Sequence, residues 1–142
     1  GALSAEAVVF FDPDMAGDFE FRRKRGGHLF SKMRFLSAQL VAYLEERRWV
    51  ANASNANAMA AALAEGLRGL DGVTPWFPVE TNMMFLSLPE SMVAALNSAG
   101  CVFYTWSAQD GMVSARLVTS FETTPDDVSH FLDVARNAVN GS

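Results

Sequence analysis

Arg116 is the residue whose surroundings say most about chemistry. It lies in Met112-Val113-Ser114-Ala115-Arg116-Leu117-Val118-Thr119-Ser120, a stretch otherwise free of charge and patterned as a strand. A guanidinium in that setting either meets an anion or sits on the solvated face of an antiparallel sheet. Where it meets an anion, its planar fork matches a carboxylate through two parallel hydrogen bonds, the usual way of gripping an amino-acid substrate. A second concentration of cations, Arg22-Arg23-Lys24-Arg25, runs straight into Gly26-Gly27. Two glycines there would let backbone N–H groups approach a phosphate; the alternative is a solvated basic helix end. Arg34 follows apolar Met33 on a helical pattern and either reaches a ligand or lays its stem along an apolar face. Asn82, between Thr81 and Met83, either binds substrate, orients a loop or holds a strand edge.

Other chemistries find no support. His28 and His130 are the only histidines, and neither has a second histidine or a carboxylate at metal-ligand spacing. No Gly-x-Ser-x-Gly elbow accompanies the serines, and neither a Gly-x-Gly-x-x-Gly fingerprint nor a Walker loop occurs. Cys101 is the lone cysteine, which excludes an intrachain disulfide and fits a reducing, cytosolic setting.

The elements that must position these residues follow from periodicity. Ala7 to Phe11 is a continuous apolar run closed by Asp12-Pro13-Asp14, the pattern of a strand buried on both faces. Asp18 can cap a helix through Phe19-Glu20-Phe21 that ends in the basic block, where cations suit the helix dipole. Met33, Leu36, Leu40 and Leu44 recur at helical spacing, up to Glu45-Glu46-Arg47-Arg48. A second long helix follows through Trp49, Ala53, Ala56, Ala60, Leu63, Leu67 and Leu70, its alanines leaving a face flat enough for close packing. Pro75, Pro78 and nearby aromatics then break the rhythm, and a subdomain boundary is placed near Leu70. Beyond it come a strand over Thr81 to Leu88, a helix over Glu90 to Ser98 and a strand over Val102 to Trp106. Asp110-Gly111 turns the chain into a strand over Met112 to Phe121, and a helix starts at Thr124-Pro125-Asp126-Asp127. That order describes a small α+β layer, with helices on one face of a mainly antiparallel sheet.

The chain of 142 residues is half apolar, enough to bury a core, and its net charge of −5 argues against a general nucleic-acid surface. No apolar run approaches the roughly 20 residues of a membrane helix. The triplets Asn52-Ala53-Ser54 and Asn140-Gly141-Ser142 would matter only in a secreted protein and are read as chance. The opening Gly1-Ala2-Leu3-Ser4-Ala5 passes almost at once into a strand pattern without a start signal, as in a chain cut from a longer one.

Three stretches together resemble the low-specificity threonine aldolases and their phenylserine-cleaving relatives. They are Gly1-Ala2-Leu3 through Phe11, Arg22-Arg23-Lys24-Arg25-Gly26-Gly27-His28-Leu29 with Ser31-Lys32-Met33-Arg34, and Arg116-Leu117-Val118-Thr119-Ser120-Phe121. The resemblance covers essentially the whole chain. It implies an α/β parent fold of the aspartate aminotransferase type that carries pyridoxal 5′-phosphate (PLP) and assembles as dimers of dimers in the cytoplasm. Of that fold the chain would hold one strand of the large-domain sheet and the linking helices (1–70), then the small C-terminal α+β domain (71–142). In the family a lysine followed by Asn and Gly carries PLP. Gly1 matches that Gly, so no catalytic residue is assigned here: the lysine falls upstream, and Lys24 and Lys32, the only lysines present, occupy other positions.

By the same match Arg116 binds the substrate α-carboxylate. Lys24 and Arg34, with the Gly26-Gly27 turn, lie near the cofactor phosphate, in the site of a neighbouring subunit. The implied reaction is reversible cleavage of a 3-hydroxy-α-amino acid to glycine and an aldehyde, with the upstream portion of the same enzyme as obligatory companion. Two alternatives stand beside it: a β-eliminating PLP lyase of the same fold, and a free-standing α+β interaction module in which Arg116 and the basic block are only surface. An unpartnered strand and a bare apolar helix face count against the module.

Overall fold

Alternation along two neighbouring strands organises the core of residues 50–142. In β2 (Met83–Pro89) and β4 (Met112–Val118), Met84, Leu86 and Leu88 of the first and Ala115 and Leu117 of the second point to one face and are buried. Onto that face pack α3 (Arg48–Leu67) through Ala60, Leu63 and Leu67, α4 (Glu90–Ser98) through Met92, Val93 and Leu96, and α5 (Pro125–Asn140) through Val128, Phe131, Leu132 and Ala135. The computed structural model describes residues 2–140, so Gly1, matched above to the glycine after the cofactor lysine, lies outside the described residues, as do Gly141 and Ser142.

With β1 (Thr74–Pro75) and β3 (Tyr104–Gln109) the sheet has four strands in the order β1-β2-β4-β3, each pair antiparallel. This is the α+β layer read from the tail of the sequence. β1 escaped that reading because it is two residues long and contains a proline, tolerated at a sheet edge where no partner needs its missing N–H. The hairpin from β3 to β4 turns at Asp110 and Gly111, both at positive φ (53° and 77°), as a tight primed turn requires. β3 starts at Tyr104 instead of Val102, which is 95% exposed. β4 stops at Val118, three residues short of Phe121, because Ser120 and Thr123 turn the chain there: the Ser120 N–H donates to Thr123 Oγ1 at 2.8 Å and the Glu122 N–H to Ser120 Oγ at 3.1 Å.

α5 opens as its sequence demands. Thr124 Oγ1 accepts from the Asp127 N–H at 3.2 Å, while Asp127 Oδ2 accepts from the Thr124 N–H at 2.8 Å and from its hydroxyl at 2.7 Å, a reciprocal cap. These bonds hold the Asp127 carboxyl below its ordinary range. Thr119, the one polar side chain buried among the described residues, donates from Oγ1 to the Ala56 carbonyl at 2.6 Å and ties β4 to α3.

Residues 1–49 form a separate compact unit without buried side chains among the described residues. It contains a 3-10 turn at Pro13–Ala16, capped by Asp12, then α1 (Phe19–Arg25), α2 (Arg34–Leu44) and a second 3-10 turn at Glu45–Arg47. Left-handed Glu46 and Arg47, at φ 54° and 56°, separate α2 from α3. The Leu3 N–H donates to Gln39 Oε1 at 2.7 Å and Gln39 Nε2 donates to the Leu3 carbonyl at 3.0 Å, while the Phe10 and Phe19 rings meet edge to face at 5.0 Å.

The strand expected over Ala7 to Phe11 does not form: the segment has no regular secondary structure, with Val8, Val9 and Phe11 exposed. A strand exists only by pairing its backbone groups with a neighbour, and no neighbour stands beside it among the described residues. The two compact units divide between Trp49 and Val50, within α3, because most of that helix lends its apolar face to the sheet; the change of composition near Leu70 follows the helix's end at Leu67.

Candidate functional site

Strand pleating puts Arg116 on the sheet face opposite the core. Ala115 and Leu117 face the helices, so Arg116 between them must face the other way, as must Phe85, its partner on β2, and Tyr104, its partner on β3. The guanidinium Cζ lies 5.3 Å from the Tyr104 ring centroid, within cation–π range. Around it the rings form a connected group: Tyr104 stacks on Trp106 at 5.8 Å, Trp106 meets Trp76 edge-on at 5.5 Å and Phe85 at 6.2 Å, and Phe77 meets Phe85 at 6.5 Å. Trp76 is fixed by its indole N–H, which donates to Ser87 Oγ at 2.9 Å.

The arginine itself is half-buried, and its Nε is sealed from solvent with no acceptor among the described residues. A sealed, unsatisfied donor costs about 1–3 kcal/mol and calls for a partner. The ion pairs among the described residues are Lys24–Glu20, Arg68–Glu65 and Arg136–Asp133, so no carboxylate among them neutralises Arg116. A cation half-withdrawn from water, set against an aromatic ring and without an ion-pair partner among the described residues can accept an anion.

The four residues expected near a cofactor phosphate lie in residues 1–49, at the end of α1 and the start of α2. Lys24 is paired with Glu20 at 3.0 Å one helical turn away, a contact that also lowers the Glu20 carboxyl below its ordinary value. Gly26 donates its N–H to the Arg22 carbonyl at 2.9 Å, Gly27 to Lys24 at 3.1 Å and His28 to Arg23 at 3.0 Å, which closes α1 with Gly27 at φ 76°. The N–H groups of Gly26 and Gly27 thus donate inside the helix end, so any contact these glycines make with a phosphate would come from the shape of the turn. Glycine here serves the left-handed turn, a use that the local sequence does not distinguish from anion binding. Arg34 heads α2, its guanidinium 4.6 Å from the Phe35 ring centroid, with no acidic residue in the first turn and no capping side chain. In the basic block Arg23 also has a sealed Nε without an acceptor among the described residues.

Asn82 resolves as structural, donating from Nδ2 to the Thr119 carbonyl at 2.7 Å while its own carbonyl accepts the Thr119 N–H at 3.0 Å. His130 touches the Ala99 carbonyl at 3.2 Å, and burial raises the Cys101 thiol above its usual value, away from thiolate reactivity. Both line a cleft of about 260 Å³ beside α5, whose polar groups Thr119 and Asp127 are already engaged in the bonds described. The sequence reading missed the aromatic surround. Tyr104 and Trp106 carry a trace of it, two residues apart and hence on one face, but their register against Arg116 exists only in the paired sheet.

No helix among the described residues is long and apolar enough to cross a membrane. No protein-family model matches the chain. A low specificity L-threonine aldolase of Pseudomonas aeruginosa is 40% identical over 137 residues, which cover 96% of this chain and 38% of the relative. A second, from another Pseudomonas strain, is 41% identical over 123 residues, 87% of this chain and 35% of the relative. The chain thus spans little more than a third of the length of the curated relatives it matches. Among solved structures, the threonine aldolase of Leishmania major superposes with a TM-score of 0.73 at 27% identity, covering 87% of this chain and 36% of that one. A serine palmitoyltransferase of Sphingomonas wittichii, at a TM-score of 0.52 and 18% identity over 62% of this chain, shares the fold alone. Both neighbours have the PLP-transferase fold, which agrees with the fold class expected from the sequence. Over nearly its whole length, therefore, the chain is similar in sequence to part of the low specificity L-threonine aldolases and in structure to part of a solved threonine aldolase.

Proposed function

We propose that the chain is the C-terminal part of a PLP-dependent aldolase that cleaves a 3-hydroxy-α-amino acid, threonine- or phenylserine-like, into glycine and an aldehyde. The observation that carries this reading is the 40% identity to an L-threonine aldolase over 96% of the chain. Arg116 adds chemical sense, being a half-buried cation without a carboxylate partner among the described residues.

In this reading Arg116 holds the substrate α-carboxylate through its fork. Fixing the carboxylate fixes rotation about the substrate's N–Cα bond, and so selects which of the other Cα bonds stands where it can break. The cofactor, when bound, supplies a conjugated ring that takes up the electron pair released from the Cα–Cβ bond. Its phosphate suits part of the basic region: Arg34 has no ion-pair partner among the described residues and stands at a helix start without competing acids, whereas Lys24 would have to leave Glu20, and Gly26 and Gly27 contribute a turn. The lysine that carries the cofactor and the base for the 3-hydroxyl proton belong to the upstream portion. Residues 1–70 complete the large domain and its linking helices, and 71–142 the small domain, of a cytoplasmic dimer of dimers. Supporting this, residues 1–49 leave Leu3, Val8, Phe11, Phe30 and Phe35 exposed, an apolar surface that calls for cover from elsewhere.

The test is product analysis and kinetics on the full-length protein. Threonine and phenylserine should each yield glycine and the matching aldehyde. Arg116→Ala should lower kcat/KM by roughly 100- to 1000-fold, the scale of two lost charge-assisted hydrogen bonds, and Arg116→Lys should recover only part of it. A keto acid with ammonia in place of glycine would overturn the aldolase reading in favour of β-elimination, and an Arg116→Ala enzyme of full efficiency would remove Arg116 from the site.

A further inference from the structure

We infer that Tyr104 is a positioning residue for the carboxylate-binding arginine, held in turn by Trp106 and Trp76; this rests on the reading of Arg116 just given. Tyr104 is the direct cross-strand partner of Arg116, and its ring faces the guanidinium at 5.3 Å. A flexible arginine on an open sheet face would sample many orientations, and a ligand would have to select one of them. A ring beneath the cation narrows that choice before the ligand arrives, and it stabilises the charge without offering a competing carboxylate.

The ring's own support is visible. Tyr104 stacks on Trp106 with 26° between planes, Trp106 abuts Trp76 at 88°, and Trp76 is anchored to Ser87 on β2 through its indole N–H. The group therefore reaches from β3 across β4 to β2 and straddles the strand that carries Arg116. β3 is an edge strand whose residues are all exposed, Tyr104 at 60% and Trp106 at 44%, so neither ring is a core residue. Packing alone gives weak reason for a tyrosine and a tryptophan there, whereas orienting a cation gives a specific one.

The experiment compares binding of glycine, which carries the carboxylate, with glycinamide, which does not, by competition against threonine cleavage in the full-length protein. Tyr104→Leu removes the π face but keeps apolar bulk. It should weaken glycine relative to glycinamide by about 3- to 10-fold, and Tyr104→Phe should restore the preference. A purely structural role would weaken both ligands alike. Equal weakening, or none, in Tyr104→Leu while Arg116→Leu abolishes the preference would overturn the positioning role and leave Arg116 in place. Loss of no preference in Arg116→Leu itself would overturn the reading of Arg116. Should Tyr104→Leu fail to fold, Trp106→Leu decides the matter, because it withdraws the ring's support and should cause a smaller shift of the same sign; no shift would overturn the inference.

Discussion

Replacing Thr119 by valine tests what anchors the strand that bears Arg116. The Thr119 hydroxyl donates to the Ala56 carbonyl at 2.6 Å and lies 3.3 Å from the Asn82 carbonyl, at 4% exposure. Valine has the same shape, so no cavity forms. The Ala56 carbonyl lies within α3 and keeps its helical acceptor role, and the main-chain bond from Thr119 to Asn82 survives. What is lost is one short, buried hydrogen bond, about 1–1.5 kcal/mol. What is added is a methyl group pressed against two carbonyl oxygens, a further cost of roughly 0.5–1 kcal/mol. Thr119→Val should therefore destabilise by about 2 kcal/mol. Thr119→Ser keeps the hydroxyl and should lose only about 1 kcal/mol for its missing methyl. Every buried side chain among the described residues belongs to 50–142, so that stretch is the unit to melt. At about 4–8 °C per kcal/mol the valine variant should drop in Tm by roughly 8–16 °C, and serine by about half as much. A valine variant as stable as the serine one would refute the argument and leave the bonds between Thr119 and Asn82 as the anchor. Failure of 50–142 to unfold cooperatively would refute the premise that its core is sufficient.

Two further outcomes follow from the same packing. The Asp127 carboxyl is held below its ordinary value of 3.8, first by the Thr124 hydroxyl and then by the Thr124 N–H, so its contribution is complete above that value and fades as pH falls through the lowered one. Asp127→Asn should therefore shrink the difference between urea midpoints measured near neutral pH and in acid below the ordinary value, and an unchanged difference would discount the cap. At Gly66, a Cβ would lie 2.2 and 2.7 Å from the methyls of Leu132 in the α3–α5 contact. Gly66→Ala should come out destabilised by up to about 2 kcal/mol, because overpacking exceeds the gain of about 1 kcal/mol in helix propensity. Adding Leu132→Val should recover part of the loss in urea unfolding, and a Gly66→Ala protein more stable than the parent would contradict the close approach.

The elements that local rules govern were legible in the sequence. α4, α5 and the turn at Asp110-Gly111 were read from a period, a cap and a dipeptide, because each forms from contacts within a few residues of itself. The similarity to threonine aldolases was likewise carried by residues in order along the chain, and the comparisons found it over nearly the same span. Arg116 could be singled out from the absence of charge around it. Its companions could not, since Phe85 and Tyr104 become neighbours only when β2 and β3 pair on either side of β4, and register is set by which face is buried. The same dependence on partners decided the rest. The run from Ala7 to Phe11 has the composition of a buried strand but lacks, among the described residues, the neighbour whose backbone would make it one. The Gly26-Gly27 amides look free in sequence, yet the carbonyls of the last turn of α1 claim them. Short-range hydrogen bonding and side-chain period are written into the chain; the pairing of distant strands, which decides what a cation faces, exists only after folding has brought them together.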